Sequence, residues 1–249
     1  MDNSSFRVLR SVRVHIIGAG LAGLACAVRL TKKRIPITIY EATDHAGGRC
    51  RSFFDNVLKR NIDNGNHLLL SGNRQALEYM QAIGSLDSMP PALHNEFSFL
   101  DLKNGERWSV EGSWKLRIPD SSVLDLLSVL KLAWAPKNQT VAEVLNTSRP
   151  IYKKLWEPLC VSILNTAPED AAASLLWTVF RQTFWRGTQA SRPCIAQRGL
   201  SKSLIDPAMK LLLQKGANVR FNERLRSICL RDRRAVALNF GHDHIYLEP

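Results

Sequence analysis

The chain has 249 residues, of which 45% are hydrophobic and 22% charged, a composition typical of globular proteins with one or two domains. No apolar run reaches the roughly eighteen residues of a membrane span, and the first residues contain no apolar signal segment. The five cysteines are widely spaced and include no C-x-x-C pair, which argues against a disulfide framework. We therefore expect a cytoplasmic protein.

The charge balance is strongly basic, with a formal net charge of +12 at pH 7. Such a charge favours polyanionic partners, such as anionic lipid headgroups or nucleic acid. Six arginines lie between Arg220 and Arg234, but no nucleic-acid-binding motif accompanies them. We interpret this run first as a solvated face rich in strands, and we predict no nucleic-acid partner. An anionic membrane surface remains a candidate partner.

A glycine-rich turn joins the first predicted strand to the first predicted helix. The apolar run at residues 12–17 indicates a buried parallel strand, and the apolar spacing over residues 21–30 indicates a helix. Between them, Gly18, Gly20 and Gly23 form a G-x-G-x-x-G array. In such an array the first glycine allows the turn, the second lets a pyrophosphate approach and the third lets helix and strand pack closely. The pattern predicts a dinucleotide-binding unit with phosphates at the helix N-terminus.

A second strand follows in the stretch "IPITIYEA", where Ile37 and Ile39 alternate and Glu41 ends the apolar run. A carboxylate at this distance from the glycines accepts hydrogen bonds from a ribose diol and repels a 2′-phosphate. The alternative is that Glu41 is a solvated strand end. Arg34 stands where this type of turn often has glycine, and a positive φ there costs about 1 kcal/mol.

Gly47, Gly48 and Arg49 follow this unit in the stretch "DHAGGRCRS". Two glycines allow close backbone approach to a diphosphate, and the guanidinium adds charge and paired donors. The turn resembles the second signature of the FAD-dependent amine oxidase and phytoene desaturase superfamily, in which Gly-Gly-Arg lies against the cofactor. The next stretch, "IDNGNHLLL", resembles the segment that enters the flavin site.

Later stretches carry a narrower resemblance. They are Trp-Glu-Pro-Leu from Trp156, Leu-Asn-Thr from Leu164 and "CIAQRGLSKSL" from Cys194. Together with "DNGNH", which more often reads Asp-Asn-Gly-Gln-His, they resemble the hydroxysqualene dehydroxylases, squalene-associated FAD-dependent enzymes of bacterial hopanoid synthesis. The likeness runs from about residue 12 to residue 230. Asn66 in place of glutamine departs from the pattern but keeps an amide.

The resemblance implies an α/β fold, with a Rossmann-like FAD-binding domain of the GR2 flavoprotein type and an inserted α+β substrate domain. It implies FAD as cofactor and hydroxysqualene, a polyisoprenoid, as substrate. The implied reaction replaces the hydroxyl group by hydride from reduced flavin and gives squalene. The predicted cofactor-binding residues are Gly18, Gly20, Leu21, Ala22, Gly23, Glu41, Gly47, Gly48, Arg49, Gly65 and Asn66.

We expect residues 1–70 to form the first part of the FAD-binding domain, 71–194 the substrate-binding domain and 195–249 the return to the FAD-binding domain. The resembled family closes its cofactor domain with a further strand and a glycine-rich helix. The stretch ending in "HDHIYLEP" precedes any such element. We therefore expect a truncated sequence, with weak FAD binding and doubtful activity in this chain.

Three patterns predict elements of the inserted domain. "NRQALEYMQAIGSL" predicts a helix that ends at Gly84, and "FSFLDLKNGERWSV" predicts a hairpin that turns at Asn104-Gly105. "SVLDLLSVLKLAW" predicts an amphipathic helix. Such a helix usually covers a core, but for a polyisoprenoid substrate it also suggests a membrane-facing entrance and peripheral attachment to the inner membrane. Its apolar side carries Leu124, Leu127, Leu130, Leu132 and Trp134, opposite Asp125, Ser128 and Lys131.

The implied reaction needs a hydride donor, an acid for the departing oxygen and an apolar cavity. Glu157 is the first candidate acid, because its apolar neighbours would raise its pKa. His67, near the flavin entrance, is the second. Either residue could instead be structural. His242 and His244 lie two residues apart, but no further ligand cluster supports a metal site, so none is predicted.

Two other functions stay open from the sequence. A related FAD-dependent amine oxidase or carotenoid desaturase would keep the same N-terminal motifs, and product analysis with hydroxysqualene would separate these enzymes. A non-catalytic nucleotide-binding fragment is the second alternative, which flavin retention would test.

Overall fold

The computed structural model describes residues 13–65, 67–111 and 118–247. The chain forms two compact units. The first contains the residues up to His67, Gln75–Pro90 and the chain from Ala196 onward, and the second contains Leu68–Arg74 and Pro91–Ile195. The segment Gln75–Pro90, which the sequence analysis placed in the insertion, thus belongs to the first unit. The assignment of the units to cofactor and substrate binding stays a prediction.

A three-stranded parallel sheet organises the first unit. Its order is β1 (Val14–Ile17), β2 (Ile37–Tyr40) and β9 (Asn218–Arg220). Helix α1 (Leu21–Thr31) connects β1 to β2, and α7 (Asp206–Gln214) contacts α1 and leads into β9. Every residue of β2 is buried, as expected of a central parallel strand. The predicted strand–helix–strand unit is confirmed.

The turn between α1 and β2 contains a residue in the left-handed region. Arg34 has φ 55°, and its N–H donates to the carbonyl oxygen of Thr31 at 3.1 Å. The positive φ considered from the sequence is therefore present. A side chain at this position costs about 1 kcal/mol relative to glycine.

The first unit also contains a further α-helix and antiparallel strands. Helix α2 (Arg74–Ile83) ends before Gly84, which has φ 72°, and it buries Met80 and Ile83. The Tyr79 hydroxyl donates to the carbonyl oxygen of Leu204, in a π-helical turn (Ser201–Ile205) just before α7. These contacts explain why this helix packs with the first unit. The strands are the antiparallel pair β3 (Ser52–Asp55) and β4 (Arg60–Asp63), and the antiparallel sheet β10 (Ser227–Arg231), β11 (Arg234–Asn239) and β12 (His244–Tyr246).

The second unit combines helices with two antiparallel strand pairs. Strand β5 (Leu68–Leu70) pairs with β8 (Pro193–Ile195), and β6 (Glu96–Leu100) pairs with β7 (Arg107–Glu111). The second pair is the predicted hairpin. Its loop covers residues 101–106, longer than a two-residue turn, and Gly105 has φ 75°. The helices are α3 (Val123–Leu127), α4 (Val141–Val144), α5 (Glu157–Leu164) and α6 (Ala173–Gln182).

The predicted amphipathic helix at residues 122–134 is wrong in its geometry. Helix α3 ends at Leu127, and a 3₁₀ segment, Ser128–Trp134, continues the chain. A 3₁₀ segment has three residues per turn, so its side chains do not continue the face of the α-helix. Leu132 and Trp134, predicted on one apolar side, therefore differ: Leu132 is buried and Trp134 is exposed. Asp125, expected on the polar side, is buried as well.

Asp125 is buried because it is held by polar partners. Its carboxylate accepts hydrogen bonds from the N–H and hydroxyl of Ser122 and from Nε of Arg149. These bonds, those from Ser122 foremost, lower the pKa of Asp125 to about 2. The carboxylate therefore stabilises the fold above its ordinary pKa of about 3.9, and this contribution is lost as the pH falls towards 2.

We expect Asp125→Asn to lower the melting temperature near neutral pH, because the amide cannot replace the charged acceptor. The difference from wild type should shrink between about pH 4 and pH 2, where the wild-type carboxylate becomes protonated. Thermal unfolding followed by circular dichroism over this range measures it. A difference that stays constant down to about pH 2 would contradict the role of the charge.

Candidate cofactor site

The turn between β1 and α1 is built around its glycines. Gly18 has φ 95°, and its N–H donates to the carbonyl oxygen of Tyr40 at 2.7 Å. A Cβ added at Gly18 or Gly20 would meet no atom within 4 Å, whereas one at Gly23 would lie 2.0 Å from the carbonyl oxygen of Gly18. Gly23 thus lets the helix approach the turn, and Gly20 borders open space that a diphosphate could fill.

The start of α1 offers unbonded N–H groups to this space. The first N–H to enter the helical ladder is that of Leu24, which donates to the carbonyl oxygen of Gly20 at 2.9 Å. The N–H groups of Leu21, Ala22 and Gly23 precede it and have no acceptor within the helix. The first turn contains no acidic residue. These groups and the helix dipole suit an anion such as a diphosphate.

Glu41 lies directly after β2 and is 9% exposed. Its Oε2 accepts the N–H of Ala19 at 2.8 Å, and its Oε1 accepts the N–H and the hydroxyl of Thr43 at 3.0 Å. Burial by itself raises the pKa of Glu41, but the hydrogen bonds from Ala19 and Thr43 outweigh it, so the pKa lies below its usual value. The carboxylate is therefore charged at neutral pH.

The carboxylate of Glu41 is well supplied with donors. It has about four acceptor positions, the bonds from Ala19 and Thr43 take three, and the N–H of Ala42 adds a further bond, so a ribose hydroxyl would share or replace one of them. The main chain of Glu41 is held as well, because its N–H donates to the carbonyl oxygen of Arg220 and its carbonyl oxygen accepts the N–H of Glu223. Thr43 and this support from β9 were not predicted from the sequence. The one sequence signal for Thr43 is its position two residues after Glu41, because a hydroxyl at this spacing commonly forms a local hydrogen bond.

The second glycine turn lies beside the first. Gly47 donates its N–H to the carbonyl oxygen of Ala19 at 2.9 Å and forms a bridge with Gly20. Gly47 has φ 108° and Gly48 φ 57°, and a Cβ added at Gly48 would lie 3.5 Å from Cα of Gly20. Arg49 is exposed. The structure thus brings both glycine turns together around one space, and the exposed guanidinium suits a diphosphate.

Three predicted residues follow β4. Gly65 is half-buried and His67 is exposed, while Asn66 lies outside the described residues. Asp63, which the sequence analysis did not select, accepts the N–H of Leu200 at 2.9 Å and the hydroxyl of Ser52. Asp63 thereby ties this segment to the start of the π-helical turn before α7.

Glu157, the first candidate acid, opens α5 in the second unit and is half-buried. Its N–H donates to the carbonyl oxygen of Tyr152, which closes a π-helical turn (Tyr152–Trp156). Burial, with the negative charges of Glu169 and Glu157, raises the pKa of Tyr152 to about 12. The phenol is therefore neutral, and its hydroxyl finds no hydrogen-bond partner among the residues that the structure describes. The role of Glu157 as an acid stays a prediction.

We expect Glu41→Gln to weaken FAD binding by about 1 to 3 kcal/mol, because a charge-assisted hydrogen bond to the ribose is lost. Flavin fluorescence titration measures the affinity. Thr43→Val is the control, since it removes one bond to Oε1 but keeps the charge, and its effect should be smaller. Because the pKa of Glu41 is lowered, wild-type affinity should stay constant as the pH falls to the ordinary pKa of a glutamate and should fall only at lower pH. Unchanged affinity in the glutamine variant would reject the ribose assignment.

Comparison with known proteins agrees with this geometry. The family model described as "Flavin containing amine oxidoreductase" matches residues 21–245. The chain is 39% identical over 246 residues to hydroxysqualene dehydroxylase of Sinorhizobium fredii, a match of 95% of this chain and 59% of that protein. It is 24% identical over 251 residues to the probable zeta-carotene desaturase of Synechococcus elongatus, covering 87% of this chain and 51% of that protein. The resemblance to hydroxysqualene dehydroxylases is confirmed, and the desaturase is the more distant relative.

A solved structure shows the same fold. Cyclohexylamine oxidase from Brevibacterium oxydans matches with a TM-score of 0.67 at 18% identity, over 95% of this chain and 56% of that chain. The predicted fold class is confirmed, and the predicted cofactor, FAD, agrees with a flavin-containing family. The chain spans 59% of the length of the dehydroxylase relative. On the family match over residues 21–245, the chain belongs to the flavin containing amine oxidoreductase family.

Proposed function

We propose that this protein is an FAD-dependent oxidoreductase that converts hydroxysqualene to squalene, in squalene and hopanoid biosynthesis. The observation that carries the proposal is the 39% identity to a hydroxysqualene dehydroxylase across 95% of this chain. The glycine turns and the ionised Glu41 support it, because they suit the ADP half of FAD.

The chain's own residues account for cofactor binding. The N–H groups of Leu21, Ala22 and Gly23 would hold the diphosphate, with charge from Arg49, and Glu41 would accept a ribose hydroxyl. When bound and reduced, FAD supplies a hydride to the carbon that carries the hydroxyl group.

The departing oxygen needs a proton, so that the C–O bond breaks as the C–H bond forms and water leaves. Glu157 is the proposed donor, and His67 is the second candidate. Glu157 lies next to buried Trp156 at the end of a π-helical turn, a local geometry that is frequent at functional sites.

Aromatic rings in the second unit suit an apolar substrate. Trp156 meets Phe180 edge-on with centroids 6.1 Å apart, and Phe180 stacks with Phe184 at 5.9 Å and with Trp177 at 6.2 Å. Trp156 and Phe180 are buried in the core, whereas Trp177 and Phe184 are only partly buried. The faces of the partly buried rings would stabilise the positive charge that develops as the hydroxyl leaves, and the apolar surroundings would exclude water.

The direct test is product analysis. The chain, and a version extended with the remaining part of the Sinorhizobium fredii relative, are loaded with FAD, the flavin is reduced chemically under anaerobic conditions, and hydroxysqualene is added. Squalene from the extended version, detected by mass spectrometry, is the expected result, with little or none from the chain alone. Bound, reducible flavin with unchanged hydroxysqualene in the extended version would overturn the proposal, and turnover of a carotene or an amine instead would assign a related activity.

We also propose that the protein contacts a membrane surface, where a polyisoprenoid substrate accumulates. In the described ranges, no helix is long and apolar enough to cross a bilayer. The second unit does expose apolar side chains in α3 and at the end of the 3₁₀ segment, which we call the strip and define as Val123, Leu124, Leu127 and Trp134. Leu124 is 76% and Trp134 78% exposed, and such side chains suit the boundary between headgroups and acyl chains.

The strip predicts that Leu124→Ser with Trp134→Ser lowers co-sedimentation with neutral phosphatidylcholine vesicles by about tenfold or more. The control is Leu175→Ser, because Leu175 is 56% exposed on α6 and lies outside the strip. Equal vesicle binding by the double variant and wild type would exclude the strip.

A further inference from the structure

Strands β10 and β11 form a hairpin whose tip concentrates positive charge. We call residues 227–239 the arginine hairpin. At its tip, Arg231 lies directly opposite Arg234, and Asp232 and Arg233 form the turn between them. All three arginines are exposed. Asp232 is the only acidic residue of the hairpin.

This charge is not neutralised by any residue that the structure describes. In the part of the chain that the structure describes, no ion pair joins Arg231, Arg233 or Arg234 to a carboxylate. Like charges directly opposite each other across two strands are unfavourable. The arrangement therefore leaves three guanidinium groups with their paired donors directed at solvent, which suits phosphate groups.

The same sheet exposes apolar and aromatic side chains close to the charge. Leu230, the residue before Arg231, is 68% exposed, and Tyr246 on β12 is 81% exposed. Tyr246 lies in one row with Ala237 and Cys229 across the three strands, so these residues share a face of the sheet. The opposite face is occupied, because Leu238 packs against Tyr40 and Phe240.

We infer that the arginine hairpin binds the phosphate groups of anionic phospholipids at a membrane surface. The inference rests on the membrane contact proposed above and names its electrostatic partner. Arginine next to an exposed leucine and tyrosine matches a lipid interface, where cations meet headgroups and apolar side chains enter the boundary region. A nucleic acid is less favoured, because a strand-binding surface has several aromatic rings for stacking and this sheet exposes one.

The test measures binding of the full chain to vesicles of phosphatidylcholine alone and of phosphatidylcholine with about one third phosphatidylglycerol, at low and high salt. The variant combines Arg231→Gln, Arg233→Gln and Arg234→Gln. The control combines Lys33→Gln, Lys210→Gln and Lys215→Gln, which removes the same charge from exposed positions elsewhere in the first unit. Thermal unfolding verifies that each variant is folded.

The affinity of the arginine variant for anionic vesicles should be lower than that of wild type by at least about tenfold, and its binding should lose most of its salt dependence. Its affinity for neutral vesicles should stay unchanged. The lysine control should stay within about threefold of wild type. Equal losses in both variants, or none in the arginine variant, would overturn the hairpin assignment but leave the membrane contact standing. Wild-type binding to neither vesicle would overturn both proposals. Arginine-dependent binding to a DNA duplex without vesicle binding would assign the surface to nucleic acid.

Discussion

Replacing Gly23 with alanine is expected to destabilise the first unit by about 3 kcal/mol or more. The new Cβ would lie 2.0 Å from the carbonyl oxygen of Gly18, a backbone atom. This oxygen cannot move without displacing the turn that joins β1 to α1. Urea unfolding followed by circular dichroism measures the loss, and the midpoint should fall clearly for G23A.

Gly20 provides the matched control in the same turn. A Cβ there would meet no atom within 4 Å, so Gly20→Ala should keep the unfolding midpoint. Its methyl group would enter the space where a diphosphate approaches, and we expect a loss of about tenfold or more in FAD affinity. G23A with wild-type stability would refute the packing argument. G20A with wild-type FAD affinity would refute the location of the diphosphate.

Replacing Glu157 with glutamine should lower kcat for squalene formation by about a hundredfold or more, because general acid catalysis contributes roughly 10²- to 10⁴-fold. Glutamine keeps the shape of the side chain but cannot donate a carboxyl proton. FAD affinity and KM should stay near wild type, since the proposed proton transfer matters only during the reaction. Single-turnover oxidation of the bound, reduced flavin by hydroxysqualene measures this step.

Two variants separate an acid from a structural carboxylate. Glu169→Gln removes an exposed charge that, like Glu157, acts on Tyr152, and it should leave kcat unchanged. Glu157→Asp keeps an acid and should retain more activity than E157Q. A higher KM and a lower stability in E157Q, without a selective loss of kcat, would indicate a structural role. If His67→Gln alone abolishes turnover, the second candidate is the acid.

The N-terminal strand–helix–strand unit could be predicted from the sequence because its determinants are close together in the chain. The strand, the glycine array and the helix lie within residues 14–31, and each responds to local pattern and to the steric freedom of glycine. The hairpin of β6 and β7 was predicted for the same reason.

The predictions were less accurate where the local pattern was compatible with two geometries. The spacing of leucines at residues 122–134 fits an α-helix, but the chain tightens into a 3₁₀ segment after Leu127. Asp125 contacts Arg149, 24 residues further on, and such a contact is invisible to a periodicity argument. The packing of Gln75–Pro90 with the first unit likewise depends on the distant residue Leu204.

The sequence by itself determined the family and the α/β fold, and it predicted the residue types of the proposed cofactor site, because glycine, glutamate and arginine there suit the backbone freedom and charge that a dinucleotide needs. Only the tertiary structure decided how Glu41 is held, since its partners come from Ala19 and from Arg220 and Glu223 at the far end of the chain. It also decided which apolar and basic side chains remain exposed. Burial and hydrogen bonding between distant segments follow from packing in three dimensions, which periodicity along the chain does not encode.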